Sequence, residues 1–398
     1  METITRSEMP AGAGKSSLNP DALNQLLGQM VNDLGAAVNG ALVVLGDGLG
    51  IYRALADIGP ATSQELAKKT NLHERQLREW LSAQAASGYI SYEAASEAFF
   101  LTAEQVAVFA DPNSPAAMTG GFYAISAIHH DEPLVAESFR TGAGLPWGKH
   151  HNCLFCGIER FFRPGYEANI NENWIPALDG VQEKLSAGIR VADIGCGHGI
   201  STLIMAKAFP KSEFCGFDLH PASIDAANRH AAEQQITNVH FSVATAKDFP
   251  GNDYGFVTVF DALHDMGDPI GAASHAKQSL QADGTFMIVE PLAGDSLAEN
   301  INPVGRVYYG FSTMLCTPGS LSQEVGLALG AQAGERRLRD VLSKGGFTRV
   351  RRAAETPGPW DLRSITLHFA CEHLDVATKQ RRHIFLTPRR TQTPQHCC

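Results

Sequence analysis

Val191–Thr202 reads VADIGCGHGIST. An apolar strand runs into glycines at 195, 197 and 199, and a helical pattern follows from Ser201. Strand, glycine-rich turn and helix in that order let the backbone approach a small bound group, because glycine lacks the Cβ that would hold it off. The spacing fits neither phosphate-binding pattern. A dinucleotide fingerprint G-x-G-x-x-G needs glycine at 200, where Ile200 stands, and a G-x-x-x-x-G-K loop is absent. Asp193, two residues before the first glycine, would repel a pyrophosphate and attract a cationic centre.

Outward from this loop the chain alternates. RVADIG, EFCGFDL, VHFSVA, YGFVTVFDAL and GTFMIVEP read as strands; STLIMAKAF, PASIDAANRHAAEQQ and PIGAASHAKQSL read as helices between them. Such alternation predicts an α/β fold with a doubly wound, Rossmann-like parallel sheet. Asp218 closes the second strand in GFDLHP, where doubly wound folds hold ribose hydroxyls on a carboxylate. The bound group therefore has a ribose, a positive part near the loop and no phosphates. S-adenosylmethionine meets all three demands.

VADIGCGHGIST, GFDLHPASI, ATAKDFP, VFDALHDMGDP and GTFMIVEP, in this order, resemble the motifs of class I S-adenosylmethionine-dependent methyltransferases. With the N-terminal region described below, the chain is similar to bacterial-type winged-helix methyltransferases over roughly residues 25 to 356, and in layout to plant-type small-molecule O-methyltransferases. The resemblance implies that Asp193, Gly195, Cys196 and Gly197 line the methionine part of the cofactor. It implies that Asp218 binds the ribose, that Leu219 packs on the adenine, and that Ala246 and Lys247 form the loop at the adenine edge, with Phe260 completing the set. Thr245 stands where many relatives carry Asp.

LHDMGDP, Leu263–Pro269, follows a strand end, where open α/β sheets place ligands. It resembles the segment whose His is the general base in plant-type O-methyltransferases, which puts that role on His264. An imidazole suits it, with an ordinary pKa near neutrality. Glu290 matches the acid that orients this His. The competing reading makes His264 a partly buried loop cap or a mere cofactor contact. Asp265 is expected to cap the helix that follows.

The region Ile58–Thr102 reads helix, turn, helix, hairpin: a short helix from Gln64 capped by Thr62 or Ser63, a second from His73 to Ala86, and a hairpin over Tyr89–Leu101. That order resembles a winged helix. Between Ala61 and Leu101, Lys68, Lys69, Arg75 and Arg78 stand against Glu65, Glu74, Glu79, Glu93 and Glu97, one negative charge net. DNA-reading modules need unpaired basic residues, so dimerisation and pocket closure are expected of this domain. A DNA-binding regulator that senses a small ligand is the alternative. Upstream, Leu23, Leu26, Leu27, Met30, Val31 and Leu34 share one side of a predicted helix pair and offer a homodimer interface.

The chain has 398 residues, 44% apolar and 19% charged, with a formal net charge of −10. This is a globular composition without the basic footprint of a nucleic-acid binder. Apolar runs are too short to span a membrane, and the first residues lack the apolar core of a secretory signal. Eight cysteines without a paired framework fit free thiols and a cytoplasmic location.

The expected organisation is a disordered tail over 1–20, a winged-helix and dimerisation domain over 21–110, and a helical linker and substrate lid over 111–180. A methyltransferase domain follows over 181–356, and a divergent extension over 357–398, within which SITLHFACE can supply a last strand. No metal is expected. His129, His130, His150 and His151 beside Cys153 and Cys156 leave open a metal site or a polar lid, since no second cysteine pair stands at zinc spacing. Trp147, Phe155, Phe161, Phe162, Tyr166 and Trp174 either line an aromatic acceptor pocket or pack a core.

Overall fold

The computed structural model describes residues 18–356 and the backbone of 366–371. The tail before Leu18 and the remainder of the C-terminal extension lie outside the described residues. Asn19 caps the first helix, its side chain accepting from the backbone N–H of Asp21 (3.0 Å) and Ala22 (3.2 Å). That helix, α1 (Pro20–Gly48), is one continuous element rather than the helix pair expected. The chain bends only at Leu49–Gly50, where Gly50 takes a left-handed conformation, before α2 (Ile51–Ile58).

The winged helix follows as read. Helix α3 (Ser63–Thr70) starts at a capping box between Thr62 and Glu65, and α4 (Glu74–Ala86) is the second helix of the motif. The wing is the antiparallel pair β1 (Ser91–Glu93) and β2 (Ala98–Phe100), and a bridge from Phe99 to Ala61 ties β2 to the start of α3. Val43, Tyr52, Leu55, Leu66, Leu81 and Phe99 form its core.

After a short turn, α5 (Ala103–Gln105), the long helices α6 (Thr119–Thr141) and α7 (Cys153–Asn169) pack on each other, and α6 also packs on α1. They bridge the two halves of the molecule. Helix α8 (Val181–Ala187) leads into the sheet.

Strand β3 (Arg190–Ile194), α9 (Ile200–Ala208), β4 (Glu213–Asp218), α10 (Pro221–Glu233), β5 (Val239–Val243), β6 (Tyr254–Phe260), α11 (Pro269–Ser279) and β7 (Leu280–Pro291) follow the predicted alternation. Three helices then cover the site and the sheet: α12 (Pro303–Phe311), α13 (Thr317–Leu321) and α14 (Gly334–Lys344). The sheet closes with β8 (Arg351–Glu355) and β9 (Thr366–Cys371).

The strand order is β5-β4-β3-β6-β7-β9-β8, with the first five parallel and β9 inserted antiparallel between β7 and β8. The strand sought in SITLHFACE is therefore present at 366–371. Two apolar layers sandwich the sheet, one with Phe214, Phe256 and Leu185, the other with Phe249, Phe286 and Leu342. Each such side chain contributes about 1.5–3 kcal/mol by burial. The strands β3, β4 and β6 reverse order around β3, so their C-terminal ends open a crevice at the glycine loop.

Candidate active site

The crevice is a cavity of about 810 Å³ lined by the glycine loop, the ends of β4, β6 and β7, and helices α6, α7, α12 and α13. Gly195, Gly197 and Gly199 all have positive φ (71°, 53° and 80°), so the loop takes left-handed turns that other residues resist. Gly195, Cys196, Gly197, Asp218, Leu219, Ala246, Lys247, Phe260 and His264 all line this one cavity. The structure thus brings together nearly every residue expected there.

Among the residues expected to hold the cofactor, Asp193 is the exception. It lies 1% exposed beneath the loop and does not line the cavity. Ser201 Oγ (2.7 Å) and Thr202 Oγ1 (2.6 Å) donate to its Oδ2, and Thr258 Oγ1 (2.9 Å) to its Oδ1. The carboxylate pins the first turn of α9 and strand β6 to the loop, instead of facing a cationic centre. Burial raises its pKa to about 6 against the pull of these hydroxyls.

Asp218 does face the cavity. Its Oδ2 accepts from Gly197 N–H (2.9 Å) and its Oδ1 from His220 N–H (2.8 Å), which locks the carboxylate at the strand end with lone pairs to spare. Leu219 beside it is half exposed. Lys247 is committed elsewhere, with Nζ 2.7 Å from Glu324 Oε2 and 3.3 Å from Asp268 Oδ2. Thr245 caps its own turn through Asp248, which accepts from Thr245 N–H (2.9 Å) and Oγ1 (2.7 Å).

At the other end, His264 sits in a 3₁₀ turn (Leu263–Asp265), 4% exposed. Its Nδ1 meets Glu290 Oε2 in a short contact, while Glu290 Oε1 accepts from the backbone N–H of Leu263 (2.9 Å) and His264 (3.3 Å). Glu290 stands behind the ring, outside the cavity lining. With Nδ1 held by Glu290, Nε2 is the ring nitrogen left to exchange its proton. Burial opposes charge on the ring, but the carboxylates of Glu290 and Asp265 outweigh it and raise His264 well above its ordinary value. Asp265 is not the helix cap expected: Asp268 caps α11 by accepting from Gly271 N–H (2.8 Å).

The aromatic segment divides. Trp147, Phe155, Phe161, Phe162 and Tyr166 line the cavity, whereas Trp174 is buried in the sheet core and donates to Thr356 Oγ1 (3.0 Å). The histidine segment is organised by Asp131, which is 1% exposed; its Oδ2 lies 2.9 Å from His150 Nδ1 and 3.0 Å from the His151 N–H it accepts. Cys196, Cys215 and Cys316 are free thiols, but Cys153 is disulfide-bonded, which departs from the all-thiol expectation.

Sequence reading passed over Asp261 and Cys316. Asp261 accepts from Tyr166 Oη (2.9 Å), and burial together with the charge of Glu290 pushes its carboxyl up to about 7. Its signal was available, since it follows the last residue of β6 at the same edge of the sheet as Asp218. Cys316 ends a π-helical turn (Ser312–Cys316) far along the chain, and nothing local marks it.

A sheet of this order, with a glycine loop after its first strand and an acid at the end of its second, defines a Rossmann-like domain of the methyltransferase type. Residues 185–334 match the family model of a methyltransferase domain and residues 37–110 that of an Rv2258c-like winged HTH domain, so the chain carries a methyltransferase domain behind a winged helix-turn-helix domain. Among curated relatives, it is 31% identical over 118 residues to the ubiquinone biosynthesis O-methyltransferase of Actinobacillus pleuropneumoniae, covering 27% of this chain and 49% of that protein. It is 35% identical over 92 residues to the 2-heptyl-1-hydroxyquinolin-4(1H)-one methyltransferase of Mycobacteroides abscessus, covering 23% of this chain and 39% of that one. The chain thus spans about half the length, or less, of the curated relatives it matches.

Two solved structures share the fold over nearly the whole chain. Human N-acetylserotonin methyltransferase in complex with SAM superposes with a TM-score of 0.62 at 16% identity, covering 90% of this chain and 99% of that one. An O-methyltransferase family protein from Burkholderia thailandensis gives 0.59 at 18% identity, covering 90% and 99%.

Proposed function

We propose that the protein is an S-adenosylmethionine-dependent methyltransferase acting on a small, aromatic or carbonyl-bearing acceptor. The observation that carries this reading is one cavity with a glycine loop and Asp218 at one end and the His264–Glu290 pair at the other. S-adenosylmethionine, when bound, supplies a methyl group on a positively charged sulfur, open to in-line displacement. Gly195, Cys196 and Gly197 offer backbone at the loop, Asp218 offers carboxylate oxygens to ribose hydroxyls, and Leu219, Ala246 and Lys247 bound the adenine side. Phe260 closes the floor.

The acceptor binds against Trp147, Phe155, Phe162 and Tyr166, with the helical segment 111–180 as its lid. His264 Nε2 is placed to take the proton of the acceptor's hydroxyl. Glu290 holds the ring by its other nitrogen, and together with Asp265 it stabilises the imidazolium so formed. The remaining work is positioning, which a preformed cavity supplies.

The exposed apolar stripe on α1 supports a homodimer: Leu23, Leu26, Leu27, Met30, Val31 and Leu34 are 39–68% exposed. Among the described residues no single helix is long and apolar enough to cross a membrane, and the reading takes the enzyme as cytoplasmic. The regulator alternative is not favoured. On α4, the helix that would read DNA, Arg75 pairs with Glu79 and Arg78 lies 3.2 Å from Glu74, so both arginines are matched on their own helix.

The test is calorimetric titration with S-adenosylhomocysteine, wild type beside Asp218→Ala, followed by mass spectrometry of acceptors incubated with S-adenosylmethionine. Saturable binding lost in Asp218→Ala is expected. Binding of NAD with none of the homocysteine analogue would reject the reading.

A further inference from the structure

Three side chains from two distant segments meet at the acceptor end of the cavity. Donor atoms of His264, Asp265 and Cys316 all lie within 4.8 Å of one another. His264 Nε2 is 3.4 Å from Asp265 Oδ1, yet the pair lacks the alignment of a hydrogen bond, and that oxygen is buried without a hydrogen-bond partner. A buried carboxylate oxygen in this state is costly unless a cation completes it, either the charged His264 ring or a bound ion. We propose that His264, Asp265 and Cys316 form a binding site for a borderline divalent metal ion of the zinc class.

The donor set fits that ion. Imidazole nitrogen, thiolate sulfur and carboxylate oxygen are the ligand types zinc takes, and three protein ligands leave a fourth position open to water or another molecule. Bond lengths of about 2.0–2.3 Å place tetrahedral donors roughly 3.3–3.7 Å apart. The His264–Asp265 separation already matches this, and the remaining donor pairs, within 4.8 Å, need to close by roughly 1.5 Å at most.

The outer shell fits as well. Glu290 holds His264 by Nδ1, which fixes the tautomer that presents Nε2, as carboxylates do behind metal-bound histidines. Asp131 holds His150 by Nδ1 in the same way, and His150 Nε2 is buried without a hydrogen-bond partner while its ring acts electrostatically on Asp265. Glu290, Asp261 and Asp265 gather carboxylates around His264, whereas the lysine that lines the cavity, Lys247, is committed to Asp268 and Glu324. Cys316 is a buried free thiol at the end of a π-helical turn, a local distortion frequent at functional sites. Binding releases its proton to solvent and forms a thiolate–metal bond, with no change of oxidation state.

The ion and the acceptor's proton compete for the same Nε2 lone pair. Zinc should therefore inhibit methyl transfer reversibly. This consequence rests on His264 being the base; the site itself does not.

The test uses the full chain, freed of metal by chelation, titrated with cobalt(II) chloride. One equivalent should produce the visible bands of a tetrahedral centre together with a near-ultraviolet thiolate-to-cobalt charge-transfer band. Cys316→Ser should abolish the charge-transfer band, and Glu290→Gln should weaken cobalt binding by about 10–100-fold. Thermal unfolding of both variants checks that they fold. A charge-transfer band that persists in folded Cys316→Ser, or no such band in the wild type, would overturn the site. Absence of methyl transfer would leave the cobalt spectrum unchanged, so the two readings fail separately.

Discussion

Gly197 and Gly199 share a left-handed backbone but not a neighbourhood, and a pair of alanine substitutions should separate their two functions. Alanine in the left-handed region costs about 1–2 kcal/mol at either position. At Gly199 a Cβ would also sit 2.6 Å from Phe241 Cζ, 2.8 Å from Phe241 Cε1 and 2.9 Å from Ala227 Cβ. Carbon contacts settle at about 3.5–4.0 Å, so three atoms overlap by roughly 1 Å. Phe241 and Ala227 belong to the sheet core and have little room to move. Overpacking of this kind adds about 1–3 kcal/mol, for a total near 2–5 kcal/mol in Gly199→Ala. A Cβ at Gly197 meets nothing within 4 Å and points at open space in the cavity lining. Urea unfolding should therefore show Gly199→Ala less stable than Gly197→Ala by about 1–3 kcal/mol. Calorimetry should show the reverse order for S-adenosylhomocysteine affinity, with Gly197→Ala the weaker binder. Equal stabilities would refute the argument that loop-to-sheet packing selects the third glycine.

Replacing His264 by alanine should lower turnover by about two to four powers of ten with cofactor affinity nearly unchanged, and Glu290→Gln should cost less, because it disturbs orientation and not the proton transfer itself. Weakened cofactor binding with normal turnover at saturation would remove the base assignment. Glu159 is buried, which opposes its charge, but the hydrogen bond from His198 (2.7 Å) and the charges of Arg163, His230 and His198 overcome this and hold it at about 2. Its folded value lies below the ordinary one. The stabilisation is thus present above about pH 4.5 and lost as pH falls towards 2, and Glu159→Gln should forfeit up to about 3 kcal/mol at pH 7 and little at pH 2.5, read by urea unfolding at both values. If the proposed dimer forms through α1, Leu27→Glu with Val31→Glu should convert it to monomer by light scattering, whereas an unchanged mass would place any self-association elsewhere.

What could be read from the sequence was what is local. The strand–loop–helix at 191–202, the acid at Asp218 and the His at 264 each lie within a few residues of the element that positions them, so strand periodicity for the first and motif resemblance for the others pointed to residues that share one cavity. The cap of α3, expected at Thr62 or Ser63, was legible for the same reason, and the structure places it on Thr62. Side-chain direction was not. Asp193 looked like a partner for a cation because it stands two residues before a glycine, yet the first turn of α9 supplies Ser201 and Thr202 to the same carboxylate and turns it inward. Only the pairing of β3 with β6 adds Thr258.

The acceptor end shows the same limit more sharply. Cys316 lies 52 residues beyond His264, and the chain between runs through β7, α12 and a π-helical turn before returning. No window of sequence holds both residues. Their meeting depends on α13 docking against the 3₁₀ turn: Ser320 Oγ donates to Met266 O (2.8 Å), and the Gln323 side chain donates to Asp265 O (2.9 Å) and accepts from Gly267 N–H (3.0 Å). Those contacts join two segments that each look unremarkable alone. They also mean that the geometry around His264 is set partly by α13, so changes at Ser320 or Gln323 should reach the chemistry without touching either ligand.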